Sequence, residues 1–481
     1  MSDTSRLATY RRKRDPRRTP EPVPPEGPLP EGRDDTFVIQ EHHARRLHWD
    51  FRLERGGVLV SWAVPKGLPM DPKTNRLAVH TEDHPLEYAA FAGEIPAGEY
   101  GGGKVLIWDR GTYETEKWTD KEVKVVLHGS RVQGRYVLFR TNGDDWMVHR
   151  MDPPQDPDWQ PLPARIRPML AVTGELPPVA QDDRWGYEMK WDGVRAVVYV
   201  EGGSARVLSR SDRDVTVTYP ELRPLGEQLG ARQCVLDGEI VAFDDQGRPS
   251  FGALQPRMQI GDAARARRLA KEVPATFLAF DVLHLDGRDT TALPYQERRD
   301  LLEAMDVNGA RWSTPPWFRG DGAAALATSR AQGLEGIVAK RRDSPYLPGR
   351  RSDNWLKIKI FDTAEVVIGG WKPGSGRRAG GIGSLLIGVP SPAGLEYVGH
   401  VGTGFTQAML DDLARMLRPL ARQTSPFAHE VPRQWAKDAR WVTPKLVGEV
   451  AYGERTKDGR LRTPSWRGLR PDKRPEDINP E

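Results

Sequence analysis

The stretch MDPPQDPDWQPLPARIRP, residues 151–168, most limits what this chain can fold into. Proline recurs in it at intervals too short for a helix or a central strand, because each proline fixes φ and removes a backbone N–H donor. We therefore predict a linker at 151–168 between two parts that fold separately. The chain has 481 residues, which is too long for one ordinary core, and this length favours about three domains.

Hydrophobic patterning differs on the two sides of this linker. After a basic arm punctuated by proline (1–33), residues 36–150 carry short alternating runs such as GGVLVSWAV and VKVVLHG, separated by turn residues. This pattern is typical of an all-β barrel or sandwich, so we predict one β-domain over 1–150. Residues 169–361 mix strands such as RAVVYVE, followed by an EGGS hairpin turn, with helical stretches such as PYQERRDLLEAM. That mixture predicts an α+β domain.

The remaining residues, 362–481, carry strands such as AEVVIGGW and GSLLIGV before one amphipathic helix. Thr406 is placed to cap that helix. Its apolar positions recur at helical spacing: Met409, Leu410, Leu413, Met416, Leu417 and Leu420. About five strands with one helix predict a small OB-fold barrel, of a kind that binds nucleic acid. The whole chain is therefore predicted to be multidomain and α+β.

Positive charge is concentrated in four segments: RRKRDPRR, RARRLAK, KRRDSPYLPGRRSDNWLKIK and GSGRRAGG. The formal net charge is only +4, yet the isoelectric point is near 9.0. One such segment alone would more often be solvated surface. Four of them together favour nucleic acid as a partner.

Composition also limits the metal chemistry and the location of the protein. The single cysteine, Cys234, excludes disulfides and any thiolate zinc cluster, so a metal must be bound by His, Asp or Glu. No run approaches the ~20 apolar residues of a membrane span, which predicts no membrane partner. The basic start lacks the apolar stretch of a secretory signal. We therefore expect a cytoplasmic protein.

The segment YEMKWDGVRAVVYV sets Lys190 within what otherwise reads as a buried strand. A lysine nucleophile needs a lowered pKa, which neighbouring cations and desolvation supply. Lys357 and Lys359 in WLKIK lie two apart, hence on one face of a strand, although such lysines alone would more often only protect a strand edge. With the carboxylates Glu239 and Glu335, these groups suit attack on a nucleotide α-phosphate with a metal present.

The order of these segments resembles that of the covalent nucleotidyltransferases, the ATP-dependent DNA ligases and RNA capping enzymes. Six motifs carry the resemblance: KWDG, SR at Ser209 and Arg210, LDGEIVAF, LAFDVL, EGIVAK and WLKIK. The resemblance implies that Lys190 takes AMP from ATP in a phosphoramidate, with Mg²⁺ or Mn²⁺ as the metal. It further implies these roles: Glu188, Arg195, Arg210 and Glu239 around the nucleoside, Phe280 against the adenine, Lys340 in the nucleotide site, Lys357 and Lys359 at the α-phosphate, and Glu239 and Glu335 as metal ligands. The tail LRTPSWRGLRPDK resembles the last motif of the family, which implies that Arg470, Asp472 and Lys473 orient pyrophosphate.

A second cluster lies near the start of the chain, in QEHHARRLHWDFRLE. His48, Asp50 and Arg52 alternate along one strand face, and His42 and His43 precede them. Two imidazoles and a carboxylate suit a first-row divalent metal that supports hydrolysis, and a guanidinium beside them suits phosphate. Histidine-rich strands are sometimes only polar edges, so metal binding and a polar edge both stay open at this point. The segment HTEDHPLEY adds His80, His84 and Tyr88.

Nearly all of 1–150 resembles the 3′-phosphoesterase module of bacterial ligase D. The matching stretches are HHARRLHWDFRLE, SWAVPKG, RLAVHTEDHPLEYAAFAGEIPAGEYGGG and IWDRGTYE. By that resemblance His42, His48 and Asp50 hold Mn²⁺, while Arg52, His84 and Tyr88 hold the scissile phosphate. KRDPRRTPEP resembles the functional arm of the family, which implies contributions from Arg14, Asp15 and Glu21. His43 stands where an acidic residue is expected and offers a competing imidazole.

Together the resemblances imply an ATP-dependent DNA ligase with a 3′-end-processing phosphoesterase that acts in double-strand break repair by non-homologous end joining. The expected partner is DNA, as nicks and break ends, with a Ku-type end-binding protein and a separate polymerase by analogy, since 481 residues leave no room for the polymerase module of the family. Two alternatives stay open: an RNA ligase or capping-type enzyme with the same central motifs, and a scaffold that binds DNA ends without catalysis.

Overall fold

The computed structural model describes residues 6–244, 247–360, 362–374, 380–453, 455–456 and 458–478. Within these residues the strands form four sheets. Helices of this described part are α1 (Ala8–Arg12), α2 (Pro224–Leu229), α3 (Phe251–Leu254), α4 (Ala263–Glu272), α5 (Tyr295–Ala304), α6 (Gly322–Ala331), α7 (Gln407–Leu417) and α8 (Arg433–Ala436). None of the described helices is long and apolar enough to cross a membrane.

The first sheet holds ten strands: β1 (Thr36–His43), β2 (Leu47–Arg55), β3 (Val58–Val64), β4 (Asn75–His80), β5 (His84–Pro85), β6 (Gly93–Ile95), β7 (Gly103–Trp118), β8 (Glu122–Gly129), β9 (Gln133–Asn142) and β10 (Asp145–Arg150). Strand β1 pairs with both β2 and β7, so the sheet closes on itself. Alternate side chains, such as Phe37, Ile39, Phe51 and Leu53, fill one buried core. The predicted β-barrel is confirmed.

Residues 151–168, all of them described, contain neither helix nor strand. After them come β11 (Leu170–Thr173), β12 (Trp185–Met189), β13 (Val194–Glu201), β14 (Ser204–Ser209), β15 (Cys234–Val241), β16 (Thr276–Leu285), β17 (Arg288–Asp289), β18 (Trp312–Ser313), β19 (Phe318–Arg319), β20 (Gly336–Arg341) and β21 (Arg351–Lys359). One sheet has the order β11-β21-β20-β12-β19, and a second has β14-β13-β15-β16-β17 with β18 on β16. With helices α2 to α6 this is the predicted α+β region.

Two local features show how the sequence determines this region. Gly202 and Gly203 have φ of 56° and 69° between β13 and β14, the left-handed values that a tight hairpin turn requires, so the predicted hairpin is confirmed. The basic segment RARRLAK lies in α4, where the Asp262 carboxylate accepts a hydrogen bond from the backbone N–H of Arg265. Ala266 of α4 is fully buried and Ala263, Leu269 and Ala270 are half-buried, so the helix has an apolar face, but that face is narrow and mostly alanine.

The last sheet follows the order β24-β23-β22-β26-β27, with β25 on β22. Its strands are β22 (Asp362–Pro373), β23 (Ile382–Ser391), β24 (Gly394–Val401), β25 (Arg440–Trp441), β26 (Val447–Tyr452) and β27 (Ser465–Leu469). Thr406 caps α7 as predicted by accepting a hydrogen bond from the backbone N–H of Met409. Of the apolar positions at helical spacing, Leu410, Leu413 and Leu417 are buried, whereas Met416 is 36% exposed. Most of the basic segment GSGRRAGG, residues 375–379, lies outside the described residues.

Candidate active sites

A cleft of about 860 Å³ opens between the central sheets and the C-terminal sheet. Its walls come from strands β12, β15, β16, β20 and β21 and from the segment after β27. The structure brings together in this cleft all the residues that the sequence predicted for the nucleotide: Glu188, Lys190, Arg195, Arg210, Glu239, Phe280, Glu335, Lys340, Lys357, Lys359, Arg470, Asp472 and Lys473. Residues almost 300 positions apart in the chain thus share one cavity.

Lys190 is the first residue after β12 and not part of a buried strand as the sequence suggested. The β12–β20 pairing ends at Met189, and the backbone N–H of Lys190 then donates to the carbonyl of Gly336 at 2.9 Å. Its Nζ donates to the Glu335 carboxylate, and 24% of its side chain is exposed. The amine is therefore fixed in position by a carboxylate and remains accessible from the cleft.

Cations outnumber carboxylates around Lys190. Lys359 Nζ lies 3.8 Å from Glu335 Oε1, so one carboxylate serves two lysines. Burial lowers the pKa of Lys357, and the nearby cations Lys359, Arg351 and Lys190 lower it further. This part of the cleft therefore favours a polyanion such as a nucleotide phosphate chain.

Lys340 lies in a box of aromatic rings beside Glu188. Its Nζ is 2.7 Å from Glu188 Oε2, 4.4 Å from the ring centre of Phe280 and 4.3 Å from that of Trp355. Burial lowers the pKa of Lys340, and Glu188 opposes this effect. Tyr295 donates its hydroxyl to Glu188 at 2.5 Å. The network fixes Phe280 and Glu188 at the end of the cleft where an aromatic base could bind.

Arg195 is held by a carboxylate, Asp237, that was not predicted from the sequence. Two of its nitrogens each donate to Asp237 at 2.6 Å, and its guanidinium lies 4.6 Å from the ring centre of Phe280. Burial alone would lower the pKa of Arg195, but Asp237 outweighs it and raises the pKa. Asp237 precedes Glu239 by two residues in β15, so strand alternation could have placed both carboxylates on one face.

Glu239 carries the most perturbed carboxyl pKa of the cleft walls. Burial raises this pKa to about 8, against the opposing attraction of Arg195 and Lys190. A carboxyl group in such surroundings loses its proton readily only when a further positive charge arrives. A bound divalent metal would supply that charge, which fits the predicted role of Glu239 as a metal ligand.

We predict a stability difference for Glu239→Gln that depends on pH. Between the ordinary pKa of 4.5 and about 8 the folded protein keeps the Glu239 proton while the unfolded chain has lost it. Stability from this group is therefore lost as pH rises through that window. In EDTA, the melting temperature of the variant should rise relative to that of the unsubstituted protein between pH 5.5 and 8. Above pH 8 this difference in melting temperature should stay constant. A difference independent of pH would contradict the raised pKa.

The C-terminal sheet contributes cations that are already paired. Arg470 lies 2.9 Å from Glu365, 3.0 Å from Glu449 and 2.8 Å from Asp472, while Lys473 lies 2.6 Å from Glu365. Their predicted contact with pyrophosphate therefore requires an exchange of partners. A further contact was not predicted from sequence, the ion pair between Arg467 and Asp192 of the KWDG motif. Arg210, at the edge of the cleft, is exposed.

A second candidate site lies on the first barrel, where His42 of β1 faces His48 of β2. One nitrogen of each ring and one oxygen of Asp50 lie within 4.8 Å of one another. His42 Nε2 is 2.7 Å from the Gly101 carbonyl, and His48 Nδ1 is 2.9 Å from the Arg46 carbonyl. A carbonyl oxygen only accepts, so in the neutral rings these two nitrogens are the ones that donate, and His42 Nδ1 and His48 Nε2 are the nitrogens on the side of Asp50, at 3.4 and 3.7 Å. This tautomer pattern fits a divalent metal held by all three residues.

Arg52 is fixed next to this cluster. Its guanidinium donates to Asp50 at 2.9 Å, Gln40 at 2.7 Å and Ser61 at 2.8 Å. Burial raises the pKa of Asp50, but the adjacent Arg52 guanidinium opposes burial, and the pKa is lowered. Asp50 is thus an anion at neutral pH, as a metal ligand must be. Gln40 and Ser61 were missed, although Gln40 precedes His42 by two residues on the same strand.

His84 and Tyr88 complete the polar cluster next to Arg52. Their rings lie 4.8 Å apart, and Arg52 lies 4.8 Å from the ring centre of Tyr88. Burial, with Arg52 and Arg14, lowers the pKa of His84 well below its usual value, so this imidazole is neutral at neutral pH. Burial raises the pKa of Tyr88, whose hydroxyl donates to Glu21 at 3.0 Å.

The N-terminal arm reaches this cluster in part, as the sequence predicted. Arg14 is 2.8 Å from Glu21 and 3.4 Å from His84 Nε2, whereas Asp15 is exposed and its carboxylate accepts from the backbone N–H of Arg17. Two further histidines singled out in the sequence, His43 and His80, lie outside the metal cluster. His43 is bound to Glu41 at 2.7 Å on the opposite strand face and does not compete for the metal cluster. His80 packs between Trp62 and Trp146.

These features define the class of ATP-dependent DNA ligases: a nucleotidyltransferase-like region, a C-terminal barrel that contributes to its cleft, and a lysine in that cleft. Three family models match the chain: "DNA Ligase D 3'-phosphoesterase domain" over 40–140, "ATP dependent DNA ligase domain" over 168–359 and "ATP dependent DNA ligase C terminal region" over 378–473. The chain belongs to the ATP-dependent DNA ligases, and within them to the ligase D family.

Relatives and a solved structure agree with this assignment. The chain is 51% identical over 477 residues to "Multifunctional non-homologous end joining protein LigD" of Mycobacterium bovis, covering 98% of this chain and 61% of that protein. It is 35% identical to "DNA ligase C1" of Mycolicibacterium smegmatis, covering 61% of this chain and 85% of that protein. The structure titled "mycobacterial DNA ligase D complexed with ATP and MES" is 46% identical, with a TM-score of 0.55, over 66% of this chain and 98% of that one.

Proposed function

We propose that the chain is an ATP-dependent DNA ligase joined to a metal-dependent DNA 3′-phosphoesterase, and that it acts in double-strand break repair by non-homologous end joining. The chain spans 61% of the length of the LigD relatives, so the activity of the whole protein belongs to this proposal. We assign the phosphoesterase to 1–150, the linker to 151–168, the adenylation domain to 169–361 and the OB-fold domain to 362–481. The observation that carries the proposal is the single cleft that collects every predicted nucleotide residue around Lys190.

Sealing begins at Lys190. Its Nζ bonds to the α-phosphorus of ATP and pyrophosphate leaves. The AMP then passes to a 5′-phosphate of DNA, and attack by the adjacent 3′-hydroxyl closes the nick and releases AMP. Glu188, Arg195, Arg210 and Phe280 would hold the nucleoside, and Lys340 supports this set through Glu188. Lys357, Lys359, Arg470 and Lys473 would neutralise the phosphates, while Glu239 and Glu335 would hold Mg²⁺ or Mn²⁺.

The second site would prepare the 3′-hydroxyl that sealing requires. His42, His48 and Asp50 would hold Mn²⁺, which supplies charge stabilisation and an activated water. Arg52, His84 and Tyr88 would hold the scissile phosphate. The guanidinium of Arg52 is already fixed in position and, with the neutral imidazole of His84, offers hydrogen-bond donors to the phosphate oxygens. Support for this role comes from the tautomers of the two imidazoles and from the ionised Asp50.

DNA nicks and double-strand break ends are the proposed substrates, and the nucleoid in the cytoplasm is the proposed location. Broken ends must be held together before they are sealed. We therefore include a Ku-type end-binding protein and a separate polymerase among the proposed partners.

Sealing of a nick that ends in a 3′-phosphate tests both activities in one tube. With ATP and Mn²⁺ we expect sealed product, and without ATP we expect only the 3′-hydroxyl intermediate. A nick with a 3′-hydroxyl should be sealed with ATP and Mg²⁺ alone. Parallel reactions with GTP or with RNA ends should give no product. Product in those reactions would favour an RNA ligase or capping enzyme, and absence of adenylylated protein would favour a scaffold.

A further inference from the structure

One tight turn joins the adenylation domain to the phosphoesterase barrel. It consists of Glu201, the last residue of β13, and of Gly202 and Gly203, which lead into β14. A Cβ on Gly202 would stand 2.9 Å from the Cα of Lys66, and a Cβ on Gly203 would stand 2.5 Å from Leu47 Cδ2. The turn therefore rests directly on the barrel, so close that any side chain added to it requires a shift of the neighbouring residues.

Opposite charges meet at the same turn. Glu201 Oε1 lies 2.9 Å from Arg76, and Glu201 Oε2 lies 3.3 Å from Lys66. Gln233 of the adenylation domain donates to Glu201 Oε1 at 3.1 Å and so orients the carboxylate toward the barrel. Burial raises the pKa of Glu201, but Arg76 and Lys66 outweigh it and lower the pKa. The carboxylate is thus ionised and attracts the barrel at neutral pH.

The linker is attached at both ends, which makes this small contact effective. On the barrel side Asp152 accepts from the backbone N–H of Arg135 at 2.8 Å. On the other side the backbone N–H of Gln160 donates to Gly287 at 2.6 Å. Only residues 153–159 connect these points. So short a tether gives the two surfaces an effective concentration of about millimolar, at which a contact with a dissociation constant well below that concentration stays formed.

The turn supports the part of the barrel that carries the metal cluster. Leu47 directly precedes His48 in β2. Glu41 directly precedes His42 in β1, and Glu41 Oε1 lies 2.8 Å from where a Cβ on Gly230 would stand. Both strands of the β1–β2 hairpin therefore abut the adenylation domain next to a histidine of the cluster. A cavity of about 660 Å³ beside the contact shows that the remaining interface is open.

We propose that the adenylation domain docks onto the phosphoesterase barrel through the Glu201–Gly203 turn and braces the β1–β2 hairpin that carries His42 and His48. Docking follows from the contacts alone, whereas the bracing of a metal site rests on the proposed function. The metal affinity of the barrel then depends on a residue of the other domain. The two catalytic parts also keep one orientation, although the linker between them is free of regular structure.

An engineered disulfide tests the docking. The Cβ of Gly202→Cys would stand 3.1 Å from that of Lys66, so Gly202→Cys with Lys66→Cys needs only a small shift to reach disulfide geometry. The natural Cys234 is buried and its pKa is raised by burial, so it stays inert. We expect rapid crosslinking under mild oxidation, by mass spectrometry of the full chain. The control pairs Lys66→Cys with Gly459→Cys, another turn glycine with positive φ and open space. Crosslinking no faster than in the control would overturn the docking.

Gly203→Ala tests the bracing, with Gly459→Ala as the control for backbone strain at positive φ. The new methyl collides with Leu47, which precedes His48. The variant should therefore bind Mn²⁺ about tenfold more weakly in an EPR titration, the lower end of the range for losing a residue that positions a metal ligand. Its adenylylation with ATP should match the control, which shows that the adenylation domain is folded. Unchanged Mn²⁺ affinity would overturn the bracing. Absence of Mn²⁺ binding by the unsubstituted protein would overturn the metal assignment and the bracing together, and the crosslink would still decide the docking.

Discussion

Lys190→Ala should abolish sealing of a nick whose 5′-phosphate carries no AMP, with a loss of at least about 10⁴-fold. The side chain supplies the nucleophilic amine in the cleft, and Glu335 fixes its position. Label from α-³²P-ATP should no longer transfer to the protein. Processing of a 3′-phosphate end should continue near its original rate, because the metal cluster draws its ligands from β1 and β2 alone.

Two controls make the Lys190 result specific. Lys121→Ala removes an exposed lysine between β7 and β8 of the barrel, outside the four basic segments, and should leave sealing unchanged. A nick that already carries AMP on its 5′-phosphate bypasses the first step, so Lys190→Ala should still close it. If Lys190→Ala abolished 3′ processing in a folded protein, the assignment of two separate sites would be wrong.

The sequence predicted the residues of the ligase cleft well because its motifs lie on strands or directly beside them. Glu239 and Lys359 each belong to a short segment whose alternation places the side chain on one strand face, and sheet pairing then brings the faces together. Lys190 was wrongly placed inside a strand, because the apolar residues on both sides do not reveal where the pairing with β20 ends. The predicted roles of these residues remain predictions, while their meeting in one cleft is observed.

Contacts between residues far apart in the chain could not be predicted from the sequence. Arg467 meets Asp192 of the KWDG motif across 275 positions, and Glu201 meets Arg76 across 125. No local pattern marks either pair, because surface charges of both signs are common and an ion pair depends on how two domains dock. Helix α4 was not predicted for a different reason, since its narrow apolar face is mostly alanine and gives a weak signal among charged residues.

Substitution of one metal ligand, His48→Ala, should reduce release of 3′-phosphate by at least about 100-fold while sealing of a clean nick continues. His48 Nε2 is one of three donors that face a shared point, and the loss leaves His42 and Asp50, too few to hold the metal firmly. Phosphate release from a 3′-phosphate oligonucleotide in Mn²⁺ measures the effect. Asp50→Ala should behave alike.

His43→Ala provides the matched control, because His43 neighbours the cluster in sequence yet faces the other side of β1 and binds Glu41. It should process 3′ ends at nearly the original rate. The metal assignment would be refuted if His48→Ala released phosphate at the original rate. It would also be refuted if His43→Ala lost phosphate release to the same extent as His48→Ala.

A mixture of Lys190→Ala and His48→Ala proteins should then repair a nick that ends in a 3′-phosphate, although neither protein repairs it alone. The first supplies the 3′-hydroxyl and the second seals it, because the intermediate is a stable DNA end that diffuses between molecules. Repair by the mixture should become slower than repair by the unsubstituted protein as the concentration falls, since transfer between two molecules depends on encounter. A mixture that fails at every concentration would show that both sites must act within one chain.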